Sequence, residues 1–97
     1  MVHLNTAQDL FTFIAKESIL ERFNLKKIGV FGSFARGEKF DDIDLMIEDE
    51  IDFKKLVELK IFLETKTGNK FDIMQKKYAE PVILFRANKD MKYAEAS

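Results

Sequence analysis

Two aspartates sit two positions apart in an apolar run, Asp42-Ile43-Asp44-Leu45-Met46-Ile47, and a Gly32-Ser33 pair precedes them by about ten residues. If Asp42–Ile47 is a β-strand, its side chains alternate faces. Asp42, Asp44 and Met46 then point one way, and Ile43, Leu45 and Ile47 point the other, toward a core. A fold gains nothing from two carboxylates side by side. At about 4 Å and an effective dielectric near 20 they repel by roughly 4 kcal/mol. Either one takes up a proton or a cation sits between them. Neighbouring carboxylates suit Mg²⁺, which takes oxygen ligands, keeps waters and is often shared with substrate phosphates. The chemistry these residues point to is a divalent-metal site for a nucleoside triphosphate.

The elements around them must position that site. Lys27–Phe31 (KIGVF) reads as a strand that runs straight into Gly32-Ser33. A short helix over about Phe34–Arg36 follows. Glycine at such a turn lets backbone approach a ligand closely, and the helix start offers N–H groups to an anion. Gly-Ser pairs are also common turns, so the pair alone is weak evidence. Lys70–Met74 (KFDIM) reads as a further strand with Phe71 and Ile73 on one face, Asp72 and Met74 on the other. Asp72 either faces water at a strand edge or joins Asp42 and Asp44 as a third carboxylate.

The remaining segments are scaffold. Thr6 and Asp9 form a capping-box pattern that predicts a helix from about Ala7 to Phe23, with Asn24 as its stop. Asp52 is an N-cap for a helix over about Phe53–Lys66, closed by Gly68. Its stripe of Phe53, Leu56, Val57, Lys60 and Leu63, joined by Leu59 and Phe62, reads as core. Pro81 suits the first turn of a last helix that ends at about Asn88 or Lys89. Asp90–Ser97 reads as a polar, frayed end. The predicted order is α β α β α β α: a two-layer α/β domain spanning residues 1–97, with helices packed on a small mixed sheet.

Composition narrows the function classes. The 97 residues make one domain, and the formal net charge of −1 argues against a nucleic-acid-binding surface. The charge is uneven: Glu38–Asp52 holds eight acids and one Lys, whereas Lys54–Lys77 holds seven Lys and three acids. That asymmetry fits two solvated faces, or an acidic metal cluster with lysines nearby to meet phosphate. With no Cys there is no disulfide or thiolate zinc site. No signal peptide or long apolar run is present, so the expectation is a soluble, cytoplasmic protein without a membrane partner.

Taken together, Gly32-Ser33, Arg36-Gly37, a short gap and then Asp42-x-Asp44 with apolar neighbours resemble the signature of the polymerase-β-like nucleotidyltransferase superfamily. The chain's length resembles the minimal nucleotidyltransferases, often the antitoxin half of a pair with a HEPN-domain toxin. The resemblance implies roles. Gly32 and Ser33 would hold the β- and γ-phosphates. Asp42 and Asp44 would ligate two Mg²⁺ ions, with Mn²⁺ as a substitute. Asp72 would help bind the second ion and activate the attacking hydroxyl, and Arg36 would match a residue common after Gly-Ser. The implied reaction moves AMP from ATP to a hydroxyl on a partner toxin, in a homo- or hetero-oligomer. The alternatives are a binding module that neutralises its partner by contact alone and transfer to a small-molecule hydroxyl. One departure stands out. The residue before the first metal aspartate is often Ser or Thr in this superfamily, and here it is Asp41. Alternation selects Asp42 over Asp41, because only Asp42 shares a face with Asp44.

Overall fold

In the computed structural model, which describes residues 1–96, the capping box at Thr6 forms as its spacing predicts. The Thr6 side chain accepts from the Asp9 N–H, and the Asp9 carboxylate accepts from the Thr6 N–H at 3.1 Å. Helix α1 (Ala7–Lys16) follows, but it does not continue to Phe23. The chain breaks at Glu17 and Ser18, where Ser18 is left-handed (φ 53°), and a short α2 (Ile19–Arg22) restarts it. A continuous helix would carry Glu17 onto the buried stripe of Leu10, Phe13 and Ile14. The break avoids that and buries both Ile19 and Leu20. Asn24 is the stop, at φ 55°.

Strand β1 (Lys27–Phe31) leads into α3 (Gly32–Ala35), then β2 (Asp42–Ile47), α4 (Phe53–Thr67) and β3 (Lys70–Gln75). A 3₁₀ turn at Lys76–Tyr78 precedes α5 (Pro81–Asp90). The end of the chain corrects the expectation of a frayed tail. Lys92–Glu95 form a strand, β4, paired antiparallel with β1, while Ser97 lies outside the described residues. The sheet order is β3-β2-β1-β4, with β2 and β3 parallel and the other pairs antiparallel, a mixed sheet as expected.

The two faces of the sheet differ. Ile28, Val30, Ile43, Leu45, Ile47 and Phe71 are buried in one core with Leu10, Phe13 and Ile14 of α1, Ile19 and Leu20 of α2, and Leu59 and Leu63 of α4. The α4 stripe is rotated from the expected one: Phe53 is 76% exposed and Val57 is exposed, so neither belongs to the core. The opposite face carries Asp42, Asp44, Met46, Asp72 and Met74. There, the C-terminal end of α5 reaches over β1: a Cβ built on Gly29 would lie 2.6 Å from the Met91 sulfur, just beyond that helix. Among the described residues no helix is long and apolar enough to cross a membrane.

Candidate functional site: a carboxylate row beside a glycine turn

Strand register builds the site. In the parallel ladder Asp44 stands opposite Asp72, and Asp42 opposite Lys70; in the antiparallel ladder Asp44 stands opposite Phe31. Register partners share a face, so Asp72, Asp44 and Phe31 form one row across three strands, with Asp42 one step along. Asp41 lies before the strand and off this row.

Phe31 is the last residue of β1, and the chain turns at once into Gly32. Gly32 is left-handed, with φ 78°, a conformation that glycine adopts at little cost. Space demands glycine as well, because a Cβ built there would collide with the Asp44 carboxylate. Gly32 backbone and Asp44 side chain are therefore in direct contact. Ser33 follows in the first turn of α3, and Phe34 and Ala35 anchor that helix in the core. Lys92 Nζ of β4 donates to the Ala35 carbonyl at 2.8 Å and fixes the far end of the same helix. The six residues singled out by sequence thus fall in one region, around the C-terminal end of β1.

The electrostatics single out Asp44. Partial burial pushes its carboxyl above the ordinary range, and the charges of Asp72 and Asp42 push the same way; Arg36 opposes them. Arg36 is itself engaged: its NH1 lies 2.6 Å from Asp90 Oδ2 at the end of α5, and its Nε lies 3.1 Å from Glu38. These carboxylates hold the guanidinium above its usual value. Further along the same face the balance reverses. Glu48 accepts from the Tyr93 hydroxyl at 2.8 Å, with Lys76 Nζ at 3.4 Å and Lys27 Nζ at 3.7 Å. The Tyr93 bond, ahead of the lysines, lowers the Glu48 carboxyl, and Tyr93 is pushed up to about 12, mainly by burial.

A hard divalent cation suits this donor set of three carboxylate side chains on one face, one of them disfavoured as a bare anion. Among the described residues no three acidic or histidine side chains already stand close enough to cage a metal. The fit is one of donor chemistry and shared face.

Two clefts adjoin the row. One, of about 330 Å³, is lined by Asp42, Asp72, Lys60 and Lys70. The other, of about 240 Å³, lies between the Gly32 turn and α5 and is lined by Phe31, Gly32, Arg36, Ile83, Arg86 and Asp90. Sequence reasoning missed Arg86 and Asp90. The sequence marks the helix of Arg86 only as scaffold and Asp90 as the start of a frayed end, yet Asp90 meets Arg36 across 54 residues of chain.

Comparison with known proteins places this arrangement. The family model described as "Polymerase beta, Nucleotidyltransferase" matches residues 14–93. The protein adenylyltransferase MntA of Thermococcus cleftensis is 36% identical over 80 residues, covering 78% of this chain and 80% of that protein. Among solved structures, a toxin-antitoxin complex with AMP-PNP superposes with a TM-score of 0.70 at 22% identity, over 90% of this chain and 73% of that one. A tri-AMPylated Shewanella oneidensis HEPN toxin in complex with its MNT antitoxin gives a TM-score of 0.58 at 20% identity, over 88% and 72%. The two structures share the fold. The match of the family model over most of the chain, across both the glycine turn and the carboxylate row, shows that this chain belongs to the polymerase-β nucleotidyltransferase family.

Proposed function

We propose that residues 1–97 act as a single protein adenylyltransferase domain, which moves AMP from ATP to a hydroxyl on a HEPN-type toxin in the cytoplasm. The observation that carries the reading is the contact between the Gly32 turn and the Asp44 carboxylate, itself in register with Asp72. A phosphate-approaching backbone and a cation-collecting carboxylate row then serve one ligand. The activity named for the Thermococcus relative and the AMPylated toxin of the Shewanella complex support the acceptor class.

In this reading the acceptor oxygen attacks the α-phosphorus of ATP. A new oxygen–phosphorus bond forms, the bond to the β-phosphate bridge breaks, and pyrophosphate leaves with its electrons. Asp72, the third carboxylate, takes the hydroxyl proton. Gly32 and Ser33 offer N–H groups and a hydroxyl to the β- and γ-phosphates, and Arg36 adds positive charge. Asp42, Asp44 and Asp72 would hold two Mg²⁺ ions, or Mn²⁺ in their place. When bound, the ions neutralise phosphate charge and steady the attacking and leaving oxygens.

The test is incubation with α-labelled ATP, Mg²⁺ and the product of the neighbouring gene as the candidate toxin. Label on the toxin supports the proposal. Label that stays off it while nucleotide binds and the toxin is still neutralised overturns the reading and leaves binding by contact alone.

A further inference from the structure

The cleft between the Gly32 turn and α5 is lined by two guanidinium groups with different fates. Arg36 is already paired with two acids: Asp90 holds NH1 and Glu38 holds Nε. Arg86, one turn before Asp90 in α5, makes no ion pair among the described residues, although it lines the same cleft. A volume of about 240 Å³ is small for a whole nucleotide ligand, whose pockets usually span about 300–1,000 Å³. It suits the phosphate tail of one. Guanidinium groups bind phosphate oxygens through paired N–H donors, and in each such pair on Arg36, Nε/NH2 and NH1/NH2, one nitrogen is already held by a carboxylate.

We infer that Asp90 is an internal stand-in for phosphate on Arg36, and that Arg86 is a second phosphate ligand supplied by α5. Binding the triphosphate of a nucleotide then exchanges one anion for another. The phosphates take Arg36 from Asp90, gain Arg86 alongside, and release the ion pair that pins the end of α5 to α3. The exchange keeps the guanidinium neutralised when no nucleotide is present and limits binding to ligands rich enough in phosphate charge to displace a carboxylate. The inference rests on the nucleotide reading above and adds to it two residues of α5 with opposite effects.

The experiment is calorimetric titration of AMP-PNP with Mg²⁺ into the full chain and its variants. Arg86→Ala weakens binding by about tenfold, the scale of one lost charge-assisted contact. Asp90→Asn tightens it by about threefold to tenfold, because Arg36 no longer needs to be freed. In an Arg36→Ala background Asp90→Asn tightens nothing. Circular dichroism checks that each variant is folded, and Arg86→Lys, which keeps the charge and loses the fork, gives an intermediate affinity should the alanine variant fail to fold. Magnesium tripolyphosphate competes with AMP-PNP on the wild type and does so less well on the Arg86 variants. Unchanged affinity in both Arg86 variants, or weaker binding in Asp90→Asn, overturns the inference while the nucleotide reading stands. A wild-type chain that binds no AMP-PNP overturns both.

Discussion

The two ends of one strand face handle negative charge in opposite ways. Asp44 and Glu48 are four residues apart on the same side of β2 and its continuation. Glu48 is surrounded by a tyrosine hydroxyl and two lysines, and its carboxyl is lowered, first by the Tyr93 bond. Asp44 has two further aspartates for neighbours, and its carboxyl is raised, first by burial. The chain had the means to neutralise both ends, since Lys54–Lys77 is rich in lysine. At Glu48 lysines pair with the carboxylate directly, whereas Lys60 and Lys70 only line the cleft beside Asp42 and Asp72, and among the described residues no ion pair forms to the three aspartates. A fold keeps an unpaired acidic row when something outside the chain completes it, and on the proposed function the difference separates Glu48, a structural carboxylate, from Asp44, a site one.

The comparison breaks most visibly at the aspartates. Asp42→Asn, Asp44→Asn and Asp72→Asn each lower labelled AMP transfer on the order of 10³-fold, because each removes a cation-collecting charge. Glu48→Gln leaves transfer within about threefold. A comparable loss in Glu48→Gln would erase the distinction between the two ends.

Next come the glycines, which separate conformation from contact. Gly32 and Gly37 share φ 78°, yet a Cβ at Gly37 would meet nothing within 4 Å, whereas one at Gly32 would strike Asp44. Gly37→Ala costs about 1 kcal/mol of left-handed strain in urea unfolding and spares most of the activity. Gly32→Ala carries that strain and displaces a site carboxylate, so transfer falls on the order of 10²-fold.

Smaller effects read the compensated end. Tyr93→Phe removes the hydroxyl donor to Glu48 and destabilises the fold by about 1 kcal/mol near neutral pH. A lowered carboxyl contributes stability above its unfolded pKa of about 4.3, lost as pH falls through its folded value. The Tyr93→Phe deficit is therefore present at pH 7 and shrinks in acid, measurable by denaturation at both.

The smallest effect has the opposite sign. Because the Asp44 carboxyl is raised in the fold, its ionisation opposes folding once pH exceeds the unfolded value of about 3.9. Asp44→Asn therefore raises the Tm of the metal-free protein at pH 7. That gain disappears as pH falls below about 4, where the wild-type aspartate is protonated in both states. A variant that gains stability as it loses activity places Asp44 in the site.

Much of the candidate site's geometry was legible in the sequence because its signals are local. Alternation alone put Asp42 and Asp44 on one face and Asp41 off it, and the Gly32-Ser33 turn follows its strand directly. Sequence spacing could not show that Asp72 stands opposite Asp44; that depends on parallel register. Three features stayed hidden for physical reasons. Lys92–Glu95 has no apolar period, and its strand state comes from pairing with the edge of β1. The break at Glu17 is set by what a longer helix would bury. The Arg36–Asp90 pair joins segments too far apart for any local pattern to connect. The α4 stripe erred in the other direction, since Phe53 and Val57 continue an apolar rhythm that the core does not extend far enough to cover.

The pairing of β4 with β1 has a consequence for the chain as it is synthesised. β1 lies between β2 and β4, so one flank of the strand that ends at the glycine turn stays bare until Lys92–Glu95 leaves the ribosome. A product stalled before that point would carry an adhesive strip of unpaired N–H and C=O groups, ready to join another stalled copy. Lys92–Glu95 thus serve as a latch on the strand that leads into the glycine turn, and Lys92 reaches past it to the helix behind the turn.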